Sequence, residues 1–334
     1  MDTKNLLWYG VATLILVAMV YVADINKVID ALSSADLKFV FLALILGFSV
    51  FIILSNTWHE FLNKTGLDIS RISSFRLFMA GEFMNSITPL GQFGGEPFMA
   101  YIIKRNTDLS YEKAFSTVLS ADIINGMPTL TFILGGAGFL LLFGSINNLM
   151  LQAVYAAFMI IAIGGPLVYA LWFRTGTVEG IIVTVLQKIS DTIGRGQNIV
   201  ESVDERMDEI ENAFDTIGEN PRHLLETAAI THIYFLLQVG CLYLVLVSLG
   251  IDPDFTPLYF VIVISGLANF TPTPGGSGAF EATMAFLIAT FVPAVTGEAG
   301  IAVAAAVLYR LCTYWPGIIA GYISITGLKN GGAP

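Results

Sequence analysis

The stretch NSITPLGQFGGEP, residues 85–97, and the stretch NFTPTPGGSGAFE, residues 269–281, decide how this chain is read. Each strings together Asn, Thr-Pro, clustered Gly and one carboxylate. Segments of this kind interrupt helices, because Pro lacks the N–H that a helix interior needs and Gly loses the most backbone freedom on ordering. Both sit in otherwise apolar text. Of 334 residues, 55% are hydrophobic and 13% charged, against roughly 25% charged in an ordinary soluble domain. With a mean hydropathy of +0.74, the chain reads as an all-α polytopic membrane protein and not as a large soluble core.

Six apolar runs are long enough to cross a bilayer, since about 20 helical residues cover its ~30 Å hydrocarbon layer. They are residues 6–23, 39–58, 114–143, 151–173, 227–249 and 301–321. No small-x-small cleavage site follows the first run and a second comes soon after, so it is expected to be a retained span and not a secretory signal. Two further apolar regions flank the quoted stretches: 74–87 with 97–103, and 257–270 with 279–291. Arms this short cannot cross alone and indicate re-entrant segments.

Basic residues choose between a hairpin and a single broken crossing, because Lys and Arg near span ends favour the cytoplasmic side. With the N-terminus inside and both regions folded as hairpins, Lys64, Arg71, Arg76, Lys104, Arg105 and Lys113 fall inside, and Lys27 and Lys38 remain outside. The expected fold of residues 1–334 is therefore one integral membrane domain with six transmembrane helices and two opposed re-entrant helical hairpins. Both termini would lie on the cytoplasmic side of the plasma membrane. Residues 39–143 and 227–321 become two copies of one unit in opposite orientations. Such inverted repeats are common in secondary transporters, which bind substrate between broken helices near the bilayer midplane.

Residues 174–222 connect the copies. Val178, Ile181, Ile182, Val185, Leu186 and Ile189 follow helical spacing, as do Val203, Met207, Ile210, Phe214 and Ile217, which predicts two amphipathic helices on the cytoplasmic face. Ten of the acidic residues behind the net charge of −10 fall within residues 176–219. That surplus argues against nucleic acid as a partner, and it would also suit the high-salt cytoplasm of a salt-loving archaeon.

Irregular backbone at membrane depth survives only where it is buried in protein or lines a watery cavity. Gly91, Gly94 and Gly95 in one stretch, and Gly275, Gly276 and Gly278 in the other, would let backbone amides close on a ligand. Half-helix N-termini near Pro97 and Ala279 would point partial positive charge inward, a place for a phosphate or carboxylate. Helix breaks with close packing alone are the alternative, and a matched pair favours function over it. Pro89, Pro272 and Pro274 would shape the tips, with Asn85, Thr88, Asn269 and Thr271 supplying neutral hydrogen bonds.

Arg310 stands mid-span, where an unpaired guanidinium is expensive. Its expected partners are Glu281, Glu96 or a substrate phosphate, which its planar fork suits. Glu82 and Asp122 are further acids at depth, for which structural and functional roles are equally open, and Pro128 predicts a kink in the third crossing. His232, alone on an apolar helix, is expected to be structural. Cys241 and Cys312 read as small hydrophobes with no disulfide framework.

Enzyme signatures do not assemble. His59-Glu60 is not completed to a zinc-binding pair, because Asn63 stands where the second His belongs, and Ala279 breaks the Gly-x-Ser-x-Gly pattern around Ser277. There is no nucleotide phosphate loop and no metal-ligand spacing. No enzyme activity, cofactor or metal is expected.

The segments TPTPGGSGAFEA, residues 271–282, and LYRLCTYWPGIIAG, residues 308–321, resemble the lysylphosphatidylglycerol synthase transmembrane region family of flippase-like membrane domains. Pro274, Gly275, Gly276, Gly278 and Glu281 match its Pro-Gly-Gly-x-Gly-x-x-Glu signature, Tyr309, Arg310, Pro316 and Gly321 its late Tyr-Arg element, and Pro89, Gly94, Gly95 and Glu96 its earlier hairpin tip. The family often carries an acidic–basic pair in the third crossing, where this chain has Ala121-Asp122. The resemblance spans nearly the whole chain and looks like a stand-alone archaeal-type member. It implies movement of lipids between leaflets: aminoacylated phospholipid in bacterial fusion proteins, polyprenyl-linked sugars in archaeal relatives. No aminoacyl-transferase domain accompanies the membrane region here, so lipid synthesis is not expected of this polypeptide.

The expected function is a flippase or flippase-like transporter of a phosphate-containing lipid. Its partners would be membrane lipids and the enzymes that modify or glycosylate them. An ion- or proton-coupled carrier of a small solute and a membrane-embedded transferase acting on lipid-linked sugar are the alternatives.

Overall fold

The computed structural model describes residues 25–88, 92–143, 221–271 and 273–329, and the regular structure among them is helical. The expected spans at 6–23 and 151–173, the connector up to residue 220, and Pro89, Gly91 and Pro272 lie outside the described residues.

A short helix α1, Ile25–Ser34, leads into α2, Leu37–Lys64, whose entry is capped by Asp36 accepting the Lys38 N–H at 2.9 Å. The first hairpin follows as α3, Arg71–Ile87, and α4, Gln92–Asn106, and then comes the long α5, Tyr111–Phe143. Ser70 caps α3 by accepting the Ser73 N–H. After α6, Pro221–Ser248, the second hairpin consists of α7, Phe255–Leu267, two single 3-10 turns, and α8, Ala279–Phe291. The chain ends in α9, Ala299–Thr313, and α10, Trp315–Lys329. Among the described residues, four stretches are long and apolar enough to cross a membrane: Leu37–Lys64, Tyr111–Gly136, Leu224–Ser248 and Ala299–Leu328.

Two expectations change in detail. The second arm of the first hairpin begins at Gln92 and not near Pro97, which lies inside the helix. A proline there lies in the second turn and removes one hydrogen bond, the one its N–H would have made to the Phe93 carbonyl. The run 301–321 is not one continuous helix, because it breaks at Tyr314. Pro316 cannot donate to the carbonyl of Cys312, and that carbonyl faces Gly47 of α2 so closely that a Cβ there would collide with it.

The two series of helices pack alike. Helix α2 lies against α6, and the pair is antiparallel: the Asp36 N–H donates to the Ser248 carbonyl at 2.8 Å, and the Cys241 thiol points at the Ala43 carbonyl at 3.4 Å. Helix α2 touches α3 as α6 touches α7, and α4 touches α5 as α8 touches α9. Crosswise, α2 meets α9 as α6 meets α5, while α3 lies on α10 as α7 lies on α5.

Two apolar cores result. One, built on Leu242, Leu246, Leu258, Met284 and the small run Ala302–Ala306, holds the second hairpin. The other, around Trp58, Phe61, Leu77, Met79 and Ile124, holds the first. Small residues let backbones close where lipid supplies no hydrophobic drive between helices: Gly321 sits on the Met79 carbonyl and Gly317 on the Phe51 ring.

Candidate functional site

The site grows from the tip of the second hairpin. Helix α7 gives way to a 3-10 turn, Ala268–Phe270, after which the Thr271 hydroxyl donates to the Ala268 carbonyl at 2.7 Å and meets the Thr273 hydroxyl at 3.1 Å. Pro274–Gly276 forms the next turn, with Gly275 at φ 56° and Gly276 at φ 67°. Space enforces glycine as well as backbone angle. A Cβ on Gly276 would come within 3.0 Å of Asn269, and one on Gly275 would press into the Tyr314 ring.

Gly278, at φ 83°, opens α8, and its N–H donates to Glu281 Oε2 at 2.7 Å. This is half of a capping box, since glycine has no side chain to return the bond. The other carboxylate oxygen, Oε1, accepts from Arg310 Nε at 3.0 Å, and Arg310 Nη2 donates to the Gly275 carbonyl at 2.7 Å. Both side chains are over nine-tenths buried.

Helix ends favour this pair. Glu281 lies in the first turn of α8 and Arg310 in the last turn of α9, each at the terminus whose dipole stabilises its charge. The guanidinium is also sandwiched, its carbon 3.7 Å from the centre of the Tyr314 ring and 4.8 Å from that of Phe280. Desolvated cation–ring contacts of this type contribute about 2 kcal/mol. Two of the five guanidinium N–H groups are committed to Glu281 and Gly275, and the residue still lines a partly open cavity of about 190 Å³.

That cavity joins the two hairpins. The Tyr314 hydroxyl donates to the Ser86 carbonyl in the last turn of α3 at 3.2 Å, and Glu82, Asn85 and Ser86 present one face of α3 to the same space as Asn269, Gly275 and Arg310. Asn85 is nine-tenths buried, and its Oδ1 has no hydrogen-bond partner.

Of the residues singled out from sequence, Glu82, Asn85, Asn269, Gly275 and Arg310 line the cavity, and Glu281 holds Arg310 from behind. Pro274, Gly276 and Gly278 build the tip that carries them. Thr88 and Thr271 spend their hydroxyls on the carbonyls of Met84 and Ala268. Gly94 and Gly95 fall in the first turns of α4. Glu96 and Asp122 are grouped with Glu82, each within range of the others' charge, and Trp58 Nε1 donates to Asp122 at 3.3 Å. His232 sits between the Thr131 hydroxyl and the Ala228 carbonyl, a satisfied histidine. Among the described residues no cluster has the make-up of a metal site.

Gln238, Ser86 and Tyr314 also line the cavity and are not prominent in the sequence. Tyr314 had a signal: it stands four residues after Arg310, the spacing at which helical side chains meet.

The model of the lysylphosphatidylglycerol synthase TM region matches residues 7–321. The chain belongs to this family. Among curated relatives, it is 25% identical over 327 residues to a UPF0104 membrane protein of Methanothermobacter thermautotrophicus, covering 94% of this chain and 93% of that one. It is 24% identical to a UPF0104 membrane protein of Methanocaldococcus jannaschii, over 98% of this chain and 96% of the relative. A UPF0104 membrane protein of Pyrococcus horikoshii is 24% identical, over 95% and 94%. As a member of the lysylphosphatidylglycerol synthase TM region family with four helical stretches among the described residues long and apolar enough to span, the chain is a multi-pass membrane protein. In this family member the Pro-Gly-Gly-x-Gly-x-x-Glu segment and the Tyr-Arg of α9, distant in sequence, close on one another through the Arg310–Glu281 bond.

Proposed function

We propose that the protein carries a phosphate-bearing lipid, phospholipid or polyprenyl-phosphate-linked sugar, between the leaflets of the plasma membrane. The head group would enter the cavity between the hairpins while its chains stay in lipid. The observation that carries this reading is Arg310. It is a buried guanidinium with its charge balanced by Glu281, two rings packed on it, and a place in the lining of a cavity that also holds Glu82, Asn85, Gln238 and Asn269. A planar fork of this kind suits a phosphate. The cavity is small, so only a head group fits within it, and acyl or prenyl chains must lie outside.

The helix neighbour relations support an inverted repeat of α2–α5 and α6–α10, with six crossings and two opposed hairpins once residues 6–23 and 151–173 are counted. Equivalent helices α2 and α6 run antiparallel, as an inversion requires. In this arrangement Lys64, Arg71, Lys104, Arg105 and Lys113 face the cytoplasm, in keeping with the charge rule.

The test is leaflet exchange of fluorescent phosphatidylglycerol and of a labelled polyprenyl phosphate in proteoliposomes. The protein accelerates exchange of at least one, and Arg310→Gln slows it roughly ten- to hundredfold, the worth of one charge-assisted hydrogen bond. Protein that is monodisperse and accelerates neither disproves the reading.

A further inference from the structure

Arg310 is already neutralised, so the charge left in the cavity is that of Glu82. No hydrogen bond or ion pair of its carboxyl is seen among the described residues, and it shares the cavity with Arg310. One turn further along α3, Asn85 Oδ1 is buried without a donor. An acceptor beside an ionised carboxylate is doubly unfavourable, whereas a neutral carboxyl has an O–H to give. Resting on the lipid-phosphate reading above, we propose that Glu82 is a proton site of this cavity: phosphate enters only with a proton on Glu82, whose O–H then donates to Asn85.

The physical ground is charge. A lipid phosphate held by Arg310 and an ionised Glu82 would be two anions in about 190 Å³, with one guanidinium that already has a carboxylate. Glu96 from α4 and Asp122 from α5 are further carboxyls within range of Glu82 and bring no positive charge to it. From α8 and α9 the facing groups are Glu281, Arg310 and Tyr309, with Tyr314 at the break. Helix α2 brings Trp58, bonded to Asp122, and α10 brings Tyr322 against Phe83. No further cation among these residues offsets the phosphate. A bound metal cation is less well served than a proton. Of the carbonyls at the cavity, that of Gly275 in the unwound tip already accepts from Arg310 and that of Ser86 from Tyr314, and a second cation beside Arg310 is repelled by it.

Purified protein and dihexanoyl phosphatidylglycerol test the proposal by titration calorimetry, in buffers of different ionisation enthalpy and across pH. One proton is taken up per probe bound, and affinity falls as pH rises, by about tenfold per unit where Glu82 is ionised in the free protein. Glu82→Gln, neutral at every pH, removes both the slope and the uptake, while Glu82→Asp keeps them; thermal unfolding shows that each variant is folded. Binding without proton uptake, a slope that survives in Glu82→Gln, or binding that requires sodium overturns the proton site and leaves lipid carriage standing. Folded protein that binds neither this probe nor a short-chain polyprenyl phosphate overturns both.

Discussion

At the scale of single residues, the Arg310–Glu281 pair is the costliest feature of the molecule to disturb. Glu281→Ala strands a buried guanidinium and releases the Gly278 N–H, and is expected to destabilise by about 3–5 kcal/mol. Thermal unfolding in detergent measures this. Pairing the change with Arg310→Leu recovers part of the loss, because no charge is then left alone. Tyr314→Phe keeps the ring against the guanidinium but loses the bond to Ser86, and costs about 1 kcal/mol. Gly276→Ala adds the penalty of left-handed backbone, about 1–2 kcal/mol, to its contact with Asn269. That Arg310 needs a partner follows from its type and place in the chain. That the partner is Glu281 and not Glu96 does not, since both carboxylates follow Gly-rich tips and only packing brings one within 3.0 Å.

At the scale of elements, the second arm at Ala279–Phe291 matches its expected bounds, because Gly278 ends the irregular tip and a continuous apolar run follows. The break at Tyr314 was not legible beforehand. Pro316 alone permits a kink, and it is the approach of Gly47 to the Cys312 carbonyl that gives the open helix end its neighbour. The same packing brings together the two cysteines, which are buried and free as their reading as small hydrophobes requires. Cys241 of α6 and Cys312 of α9 are neighbours, their thiols directed at carbonyls one turn apart on α2, those of Ala43 and Val40. Copper–phenanthroline oxidation of membranes is expected to remove both thiols from alkylation in denaturant together, while in Cys241→Ser Cys312 stays alkylatable. Two thiols that remain free would show that α6 and α9 are not packed as described. Gly47→Leu drives a side chain into the Cys312 carbonyl, and unfolding at a lower temperature is the expected result.

At the scale of the whole molecule, two ends differ in charge. Asp36, Asp252, Asp254 and Glu298 lie at the end where α2 begins and α6 finishes, and Lys64, Arg71, Lys104 and Arg105 lie at the other. In a background without Cys241 and Cys312, Asp252→Cys is expected to react with an impermeant maleimide on intact cells, and Lys104→Cys only after permeabilisation. The reverse pattern would invert the proposed orientation.

The sequence by itself determined that this is a helical membrane protein, that its helices break at the two Gly-rich stretches, and that an arginine and several acids had to be accommodated at depth. Each of these follows from properties local in the chain: apolar length, the missing N–H of proline, and the desolvation cost of a charge. Only the tertiary structure decided that Arg310 bonds Glu281 and leaves Glu96 with Glu82 and Asp122, and that Tyr314 ties one hairpin to the other. It alone showed that Asn85 is left buried without a donor in the same space. Those outcomes depend on which helix faces touch, and glycines such as Gly47 and Gly321 set that by allowing backbones to approach where any side chain would hold them apart.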